Sequence, residues 1–196
     1  MSAIEFLEVA GALGAAEVER LREEMRAAAG GDAVVTGVGS EERAASSARR
    51  ATRVEVSDAT RAAVIGALDR LRPRIAERFG RELTGLDEPQ FLRYGPGDYF
   101  VPHQDGNTPL IHDSTRFRKV SAVIFLSEQS PEGDAPGTYV GGSLVLHAPY
   151  TVSDERVPFA PAPGTLVAFP AETTHEVTPI TAGERLSVVA WYRGEE

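Results

Sequence analysis

Two imidazoles, one carboxylate and one guanidinium are the side chains of this sequence best suited to do chemistry together. His103 and Asp105 stand two apart at the end of Tyr94-Gly95-Pro96-Gly97-Asp98-Tyr99-Phe100-Val101-Pro102-His103-Gln104-Asp105. Extended residues i and i+2 point to the same side, so this pair can converge on one ion. His175 lies far downstream, closing Phe169-Pro170-Ala171-Glu172-Thr173-Thr174-His175, and Arg185 opens Arg185-Leu186-Ser187-Val188-Val189-Ala190-Trp191-Tyr192. Two histidines and one carboxylate can occupy one face of an octahedral metal and leave the opposite face open to exogenous ligands.

Taken alone, a His-x-Asp pair is a weak signal. The expectation of a metal site rests on its place after a strand and a Gly-rich turn, with a third ligand on a separate strand. His147, at the end of Gly142-Ser143-Leu144-Val145-Leu146-His147, is the main competitor of His175 for that third position. His112 lies in a loop and reads as an exposed side chain. Two histidines with a carboxylate serve zinc as well as iron, so the ligands do not choose the metal. Arg185 helps to decide. Its strand alternates, so Arg185 shares a face with Ser187, Val189 and Trp191 and points inward if those residues do. A buried guanidinium needs an anion. Either an internal Asp or Glu supplies it, or a bound carboxylate does so through two parallel charge-assisted hydrogen bonds.

The elements that must carry these groups are legible in outline. Val18, Leu21, Met25 and Ala28 recur at helical spacing, with Gly30-Gly31 as the stop. Residues 34–38 read as a short strand, and 39–52 as a mobile loop without periodicity. A second helix is capped by Ser57 or Asp58, carries the stripe Val64, Leu68, Leu71, Ile75 and Phe79, and ends at Gly80. Pro73 inside that stripe predicts a kink or a split. From residue 87 onward the pattern becomes short strands at 89–94, 99–102, 118–127, 142–147, 164–169, 174–178 and 185–192, separated by Gly/Pro turns. Residues 127–137, rich in Pro, Gly and acids, read as an exposed hairpin loop. Seven or eight strands after a helical start predict a jelly roll supported by helices.

Composition sets further bounds. A chain of 196 residues, 42% apolar, fits one domain with a real core. The net charge of -9 argues against a nucleic-acid or anionic-membrane partner, although Arg49, Arg50 and Arg53 could form a local basic patch. The sequence has no Cys, which excludes disulfides, thiolate metal sites and Cys nucleophiles. The N-terminal residues lack a basic signal region and no apolar run approaches a membrane span, so a soluble cytoplasmic protein is expected.

Together these stretches resemble the Fe(II)/2-oxoglutarate-dependent oxygenases, in the branch similar to prolyl 4-hydroxylases. The resemblance covers about 90–192: the Tyr94 to Asp105 run, the strand from Arg118 to Leu126, the Gly141-Gly142-Ser143-Leu144 turn, Pro163-Gly164-Thr165-Leu166-Val167-Ala168-Phe169, and His175 through Tyr192. It implies a mostly β, double-stranded β-helix (cupin-like jelly roll) in a single oxygenase domain over 1–196. N-terminal helices over about 1–85 would support a β core over about 86–193.

By the same resemblance, His103, Asp105 and His175 bind Fe(II). Arg185 pairs with the distal carboxylate of 2-oxoglutarate, Ser187 donates to the same group, and Tyr94 reaches the cosubstrate. Phe125 is a departure, since related protein hydroxylases carry a tyrosine there. The implied activity is hydroxylation of an unactivated C–H bond, with O2 as second cosubstrate, succinate and CO2 as coproducts, and ascorbate as an optional reductant. No protein acid or base is required beyond the metal centre. Retention of Asp105 favours hydroxylation, because halogenating relatives lack that carboxylate. The expected substrate is prolyl or another protein side chain. The alternatives are a free amino acid or small metabolite, and a non-catalytic cupin-like sensor or scaffold. Gln104, Asp113 and Arg116, at and beyond the His-x-Asp pair, are the candidate substrate contacts.

Overall fold

A computed structural model describes residues 3–28, 30–32, 48–106, 108, 113–133 and 135–195. The chain opens with strand β1 (Leu7–Val9) and helix α1 (Ala15–Ala27), followed by β2 (Gly30–Asp32), β3 (Arg49–Arg50) and β4 (Thr52–Val54). Helix α2 (Asp58–Phe79) leads into β5 (Gly85–Leu86), β6 (Gln90–Tyr94) and β7 (Tyr99–His103). A 3-10 turn (Ser114–Phe117) precedes β8 (Arg118–Phe125), β9 (Glu128–Gln129), β10 (Thr138–Gly141), β11 (Leu144–His147) and β12 (Arg156–Phe159). The last strands are β13 (Leu166–Pro170), β14 (His175–Val177), β15 (Ile180–Gly183) and β16 (Arg185–Arg193).

Two sheets face each other. The larger has the order β1-β13-β8-β16-β6-β4-β2 with β5 also on β16, and the smaller has the order β12-β11-β14-β7-β3. A third, small sheet, β15-β10-β9, flanks them. This is the helix-supported jelly roll that the sequence predicts, mostly β with two described helices.

Alternation along the central strand β16 divides the interior. Leu186, Val188, Ala190 and Tyr192 join a cluster with Val18, Leu21 and Met25 of α1 and Val64, Leu68 and Ile75 of α2. The Tyr192 hydroxyl donates to the Leu68 carbonyl at 2.8 Å, locking α2 onto the sheet. The other face of β16 carries Arg185, Val189 and Trp191 into a cavity between the sheets.

Several expectations need correction. Of the kink or split expected at Pro73, the split does not occur: helix α2 runs from Asp58 to Phe79 as one element. Leu68 and Ile75 on either side of it are fully buried, and this packing outweighs the missing hydrogen bond. The N-terminal third is not only helical, since β1 pairs with β13 and β2 with β4, so Gly30-Gly31 is strand and α1 ends before it. Within the expected loop 39–52, Arg49–Arg50 is strand and Thr52 begins another (Thr52–Val54), because β3 pairs with β7 and β4 with β6. Glu128–Gln129, inside the expected hairpin loop, pairs parallel to β10. Residues 34–38, 39–47 and 109–112, including His112, lie outside the described residues. No described helix is long and apolar enough to cross a membrane.

Candidate metal centre

Strand β7 is entered through the turn at Gly95–Gly97. The Asp98 carboxylate accepts from Gly95 N–H at 2.9 Å, and Gly97 N–H donates to Ile180 O at 2.8 Å, which fastens the turn to the neighbouring strand. Antiparallel pairing of β7 with β14 sets His103 directly opposite His175. Their ring centroids are 4.1 Å apart. Asp105 follows the end of β7, its N–H donating to Ala171 O at 2.9 Å. A Cβ at Gly106 would collide with the Thr115 carbonyl oxygen, so only glycine lets the chain turn there and aim Asp105 back at the two rings.

The ligand atoms of His103, Asp105 and His175 all lie within 4.8 Å of one another. Asp105 Oδ1 is 3.5 Å from His103 Nε2, and Oδ2 is 3.4 Å from His175 Nε2. Each Nδ1 sits 2.9 Å from a carbonyl two residues back, Val101 for His103 and Thr173 for His175. A carbonyl only accepts, so each Nδ1 carries the proton and each Nε2 presents its lone pair to the cluster, the tautomer that ligation requires. Ser121 donates its hydroxyl to Asp105 Oδ2 at 2.7 Å.

Burial and the neighbouring His103 push the His175 imidazolium down to about 4, leaving a neutral ring at pH 7. For Asp105, burial favours the protonated acid. The adjoining His175 and His103 and the Ser121 hydroxyl outweigh it and hold the carboxyl well below the usual range. An ionised carboxylate beside the neutral His175 ring, with His103 Nε2 facing the same point, is a donor set suited to a divalent cation. Hard carboxylate and borderline imidazole donors fit Fe(II).

Arg185 is 1% exposed and lines the same cavity. One Nη donates to Ser187 Oγ at 3.0 Å, and the guanidinium lies 5.3 Å from the Tyr94 ring centroid and 5.1 Å from that of Phe125. Its Nε has no hydrogen-bond partner, and no carboxylate pairs with it among the described residues. Among the described residues, the internal Asp or Glu weighed from the sequence is therefore absent. A desolvated guanidinium with free donors, walled by aromatic rings, fits the carboxylate end of a keto diacid. Ser187 Oγ accepts from Arg185 and keeps its own hydrogen for a further acceptor. Tyr94 stands opposite Arg185 in the β6–β16 register, while Phe125, opposite Ser187, offers only hydrocarbon.

Of the candidate substrate contacts, Gln104 lines the cavity, its amide donating to Glu172 O at 2.7 Å. Asp113 does not line it. Its carboxylate caps the 3-10 turn, accepting from Thr115 N–H at 2.8 Å and from the Thr115 hydroxyl at 2.6 Å. Nor does Arg116, whose guanidinium lies over Phe117 at 4.5 Å. His147 is buried away from the cluster, 3.0 Å from Glu176. Sequence reasoning missed Ser121, Arg118 and Arg49 as cavity or ligand neighbours. Alternation along β8 could have flagged Ser121, a hydroxyl among buried apolar residues. Arg118 lies 3.8 Å from the Trp191 ring centroid and pairs with Asp87 at 2.8 Å.

The sequence profile of the 2OG-Fe(II) oxygenase superfamily matches residues 89–193, more than half of the chain. The chain belongs to that superfamily. As a 2OG-Fe(II) oxygenase it takes Fe(II) as its metal and 2-oxoglutarate as its cosubstrate. A PKHD-type hydroxylase of Shewanella sp. strain MR-7 is 36% identical over 103 residues, covering 53% of this chain and 41% of the relative. The chain thus spans less than half the length of the curated relatives it matches. A Pseudomonas putida prolyl-4-hydroxylase structure shares 25% identity with the oxygenase at a TM-score of 0.73, over 98% of this chain and 94% of that one. A Trichoplax adhaerens prolyl hydroxylase in complex with a hypoxia inducible factor peptide fragment shares its fold, with a TM-score of 0.71 at 19% identity over 96% and 83% of the two chains.

Proposed function

We propose that this chain is an Fe(II)- and 2-oxoglutarate-dependent dioxygenase that hydroxylates an unactivated C–H bond, with succinate and CO2 as coproducts. The observation that carries this reading is Arg185, a buried guanidinium without a counter-ion among the described residues, in the cavity that holds the His103, Asp105 and His175 ligand atoms. In this reading His103, Asp105 and His175 hold the metal. Arg185 grips the far carboxylate of 2-oxoglutarate, Ser187 donates to the same group, and Tyr94 packs beside it.

When bound, the iron and the keto acid supply O2 activation, coupling oxidative decarboxylation to C–H hydroxylation. The protein's part is to place and to shield. Asp105 supplies the ligand charge, and main-chain carbonyls keep both Nε2 lone pairs available. Leu92, Val123, Leu144 and Val189 line the cavity with hydrocarbon and exclude water. No side chain of the cavity needs to act as acid or base. The unit is read as one oxygenase domain in the cytoplasm, where reducing conditions keep iron ferrous.

The substrate reading is prolyl or another protein side chain, supported by the prolyl-4-hydroxylase with which the chain shares 25% identity over nearly its whole length. At about 110 Å³ the cavity is smaller than a drug-sized pocket and must also admit the cosubstrate, so only the reacting end of a substrate enters. The same constraint suits a free small molecule, which is the second reading. The test is succinate formation by the purified protein with Fe(II), 2-oxoglutarate and O2. The oxygenase reading predicts turnover that Arg185→Ala removes. The absence of succinate under every condition would leave only a metal-binding scaffold.

A further inference from the structure

Besides Arg185 and Arg118, which pairs with Asp87, the cavity holds a guanidinium to which the reading above gives no role. Arg49, on β3, is 8% exposed and lines the cavity together with His103, Asp105 and Arg185. Its Nε has no hydrogen-bond partner, and no carboxylate pairs with it among the described residues. Its neighbours in the same basic stretch are paired: Arg50 with Asp98 at 3.1 Å and Arg53 with Glu55 at 3.5 Å. Arg49 therefore does not lack a partner merely because the region is short of acids.

Its placement is specific. The β3–β7 pairing sets Arg49 opposite Phe100, with the guanidinium 4.8 Å from the ring centroid. The same ring stacks on His103, with centroids 3.4 Å apart and planes 17° from parallel. Arg49 thus stands one aromatic ring from a metal ligand, and it comes from the smaller sheet, whereas Arg185 comes from the larger. Contact with Phe100 offsets part of the cost of burying the charge. It satisfies none of the N–H donors, and an apolar side chain would pack on the ring without that cost. A buried cation held at the reacting end of a cavity calls for an anion that arrives with a ligand. With Arg185 on the far carboxylate of 2-oxoglutarate and the keto-end carboxylate left to the metal, the anion for Arg49 is one that the substrate brings. One guanidinium matches one carboxylate in charge and in its two-pronged geometry. A phosphate, with nearly two charges, would remain undercompensated.

We propose that Arg49 is a substrate-binding residue that pairs with a carboxylate on the substrate, so that the enzyme oxidises a carbon close to an acid group. That group is carried by a free amino acid or small organic acid, or by an acidic side chain within a peptide. The inference rests on the oxygenase reading and narrows its substrate class.

The experiment uses the Fe(II)-loaded protein and reads succinate release in the presence of three probe sets. These are free amino acids and short organic acids, the corresponding carboxamides, and end-blocked peptides with or without an internal Asp or Glu. Acids should stimulate succinate release at least tenfold more than their amides, and whether the free acids or the acidic peptides do so identifies the source of the carboxylate. Arg49→Met should raise the KM for the stimulating acid at least tenfold, Arg49→Lys should restore part of it, and 2-oxoglutarate binding to the Mn(II)-loaded variants, followed by calorimetry, should match wild type. Melting curves establish that both variants fold. Equal stimulation by acids and amides, or none by any acid, overturns the proposal. So does an Arg49→Met variant that loses 2-oxoglutarate affinity instead, which would give Arg49 to the cosubstrate. A protein that binds metal and forms no succinate in any mixture, with or without probe, fails the oxygenase reading itself.

Discussion

Replacing Arg185 with Met should pull stability and ligand binding in opposite directions. This side chain is 1% exposed, donates to Ser187 at 3.0 Å and has no carboxylate partner among the described residues. Met removes that hydrogen bond, worth about 1 kcal/mol, and the contacts with Tyr94 and Phe125, worth about 1–2 kcal/mol. It also removes the desolvation penalty of an uncompensated ion, several kcal/mol. The balance favours the variant by about 1–3 kcal/mol, roughly 2–4 °C in Tm per kcal/mol for a chain of this size. Binding moves the other way. A cosubstrate present at 100 times its Kd stabilises wild type by about 2.7 kcal/mol. Loss of a desolvated charge pair costs on the order of 2–5 kcal/mol, enough to abolish that gain at the same concentration. Calorimetric melting of the Mn(II)-loaded proteins with and without 2-oxoglutarate measures both effects. An Arg185→Met protein that melts below wild type, yet still gains stability from 2-oxoglutarate, would mean that the guanidinium has an internal counter-ion, and the argument would fail.

Three further outcomes are expected. His175→Ala should abolish stoichiometric Fe(II) binding while His147→Ala leaves it intact, since His147 turns away to Glu176; metal analysis after desalting decides between them. Ser121→Ala removes the hydroxyl that donates to Asp105 and should weaken Mn(II) affinity about 10–100-fold, followed by electron paramagnetic resonance titration. The Thr60 hydroxyl and the Ser57 N–H lower Glu24, whose carboxylate ties α1 to the start of α2. Because its folded-state value is depressed, its contribution is fully present above its ordinary value of 4.5 and is lost as pH falls through the folded value. Glu24→Gln should therefore lower Tm at pH 7 and flatten the acid limb of the stability curve. An unchanged acid limb would remove Glu24 from that role.

The strands that carry the site were legible because each is long enough to alternate. Arg185 could be aimed inward from the apolar residues at i+4 and i+6 of its own strand, and the structure places it there. Helix α2 announced both ends through Ser57 and Gly80, and the structure caps it at those residues. Strands of two or three residues carry no period, so β3 and β4 vanished into a stretch that read as loop. Arg49 vanished with them, because its burial is decided by Phe100 on another strand and not by its own neighbours. The split allowed for at Pro73 fails for a related reason: a local penalty was visible in the sequence, whereas the sheet packing that keeps the helix in one piece was not. Asp113 looked like a pocket residue by proximity, but its carboxylate closes a turn.

Both imidazoles are oriented by main-chain carbonyls two residues back in the chain, Val101 for His103 and Thr173 for His175. Such an anchor is common to all twenty amino acids, so no replacement of the Val101 or Thr173 side chain can delete it. Mutational drift can therefore retune the hydrogen bonding of this centre most directly through the acidic corner, at Asp105 and its companion Ser121. Inherited differences in metal preference among close descendants of this chain should collect at those two positions.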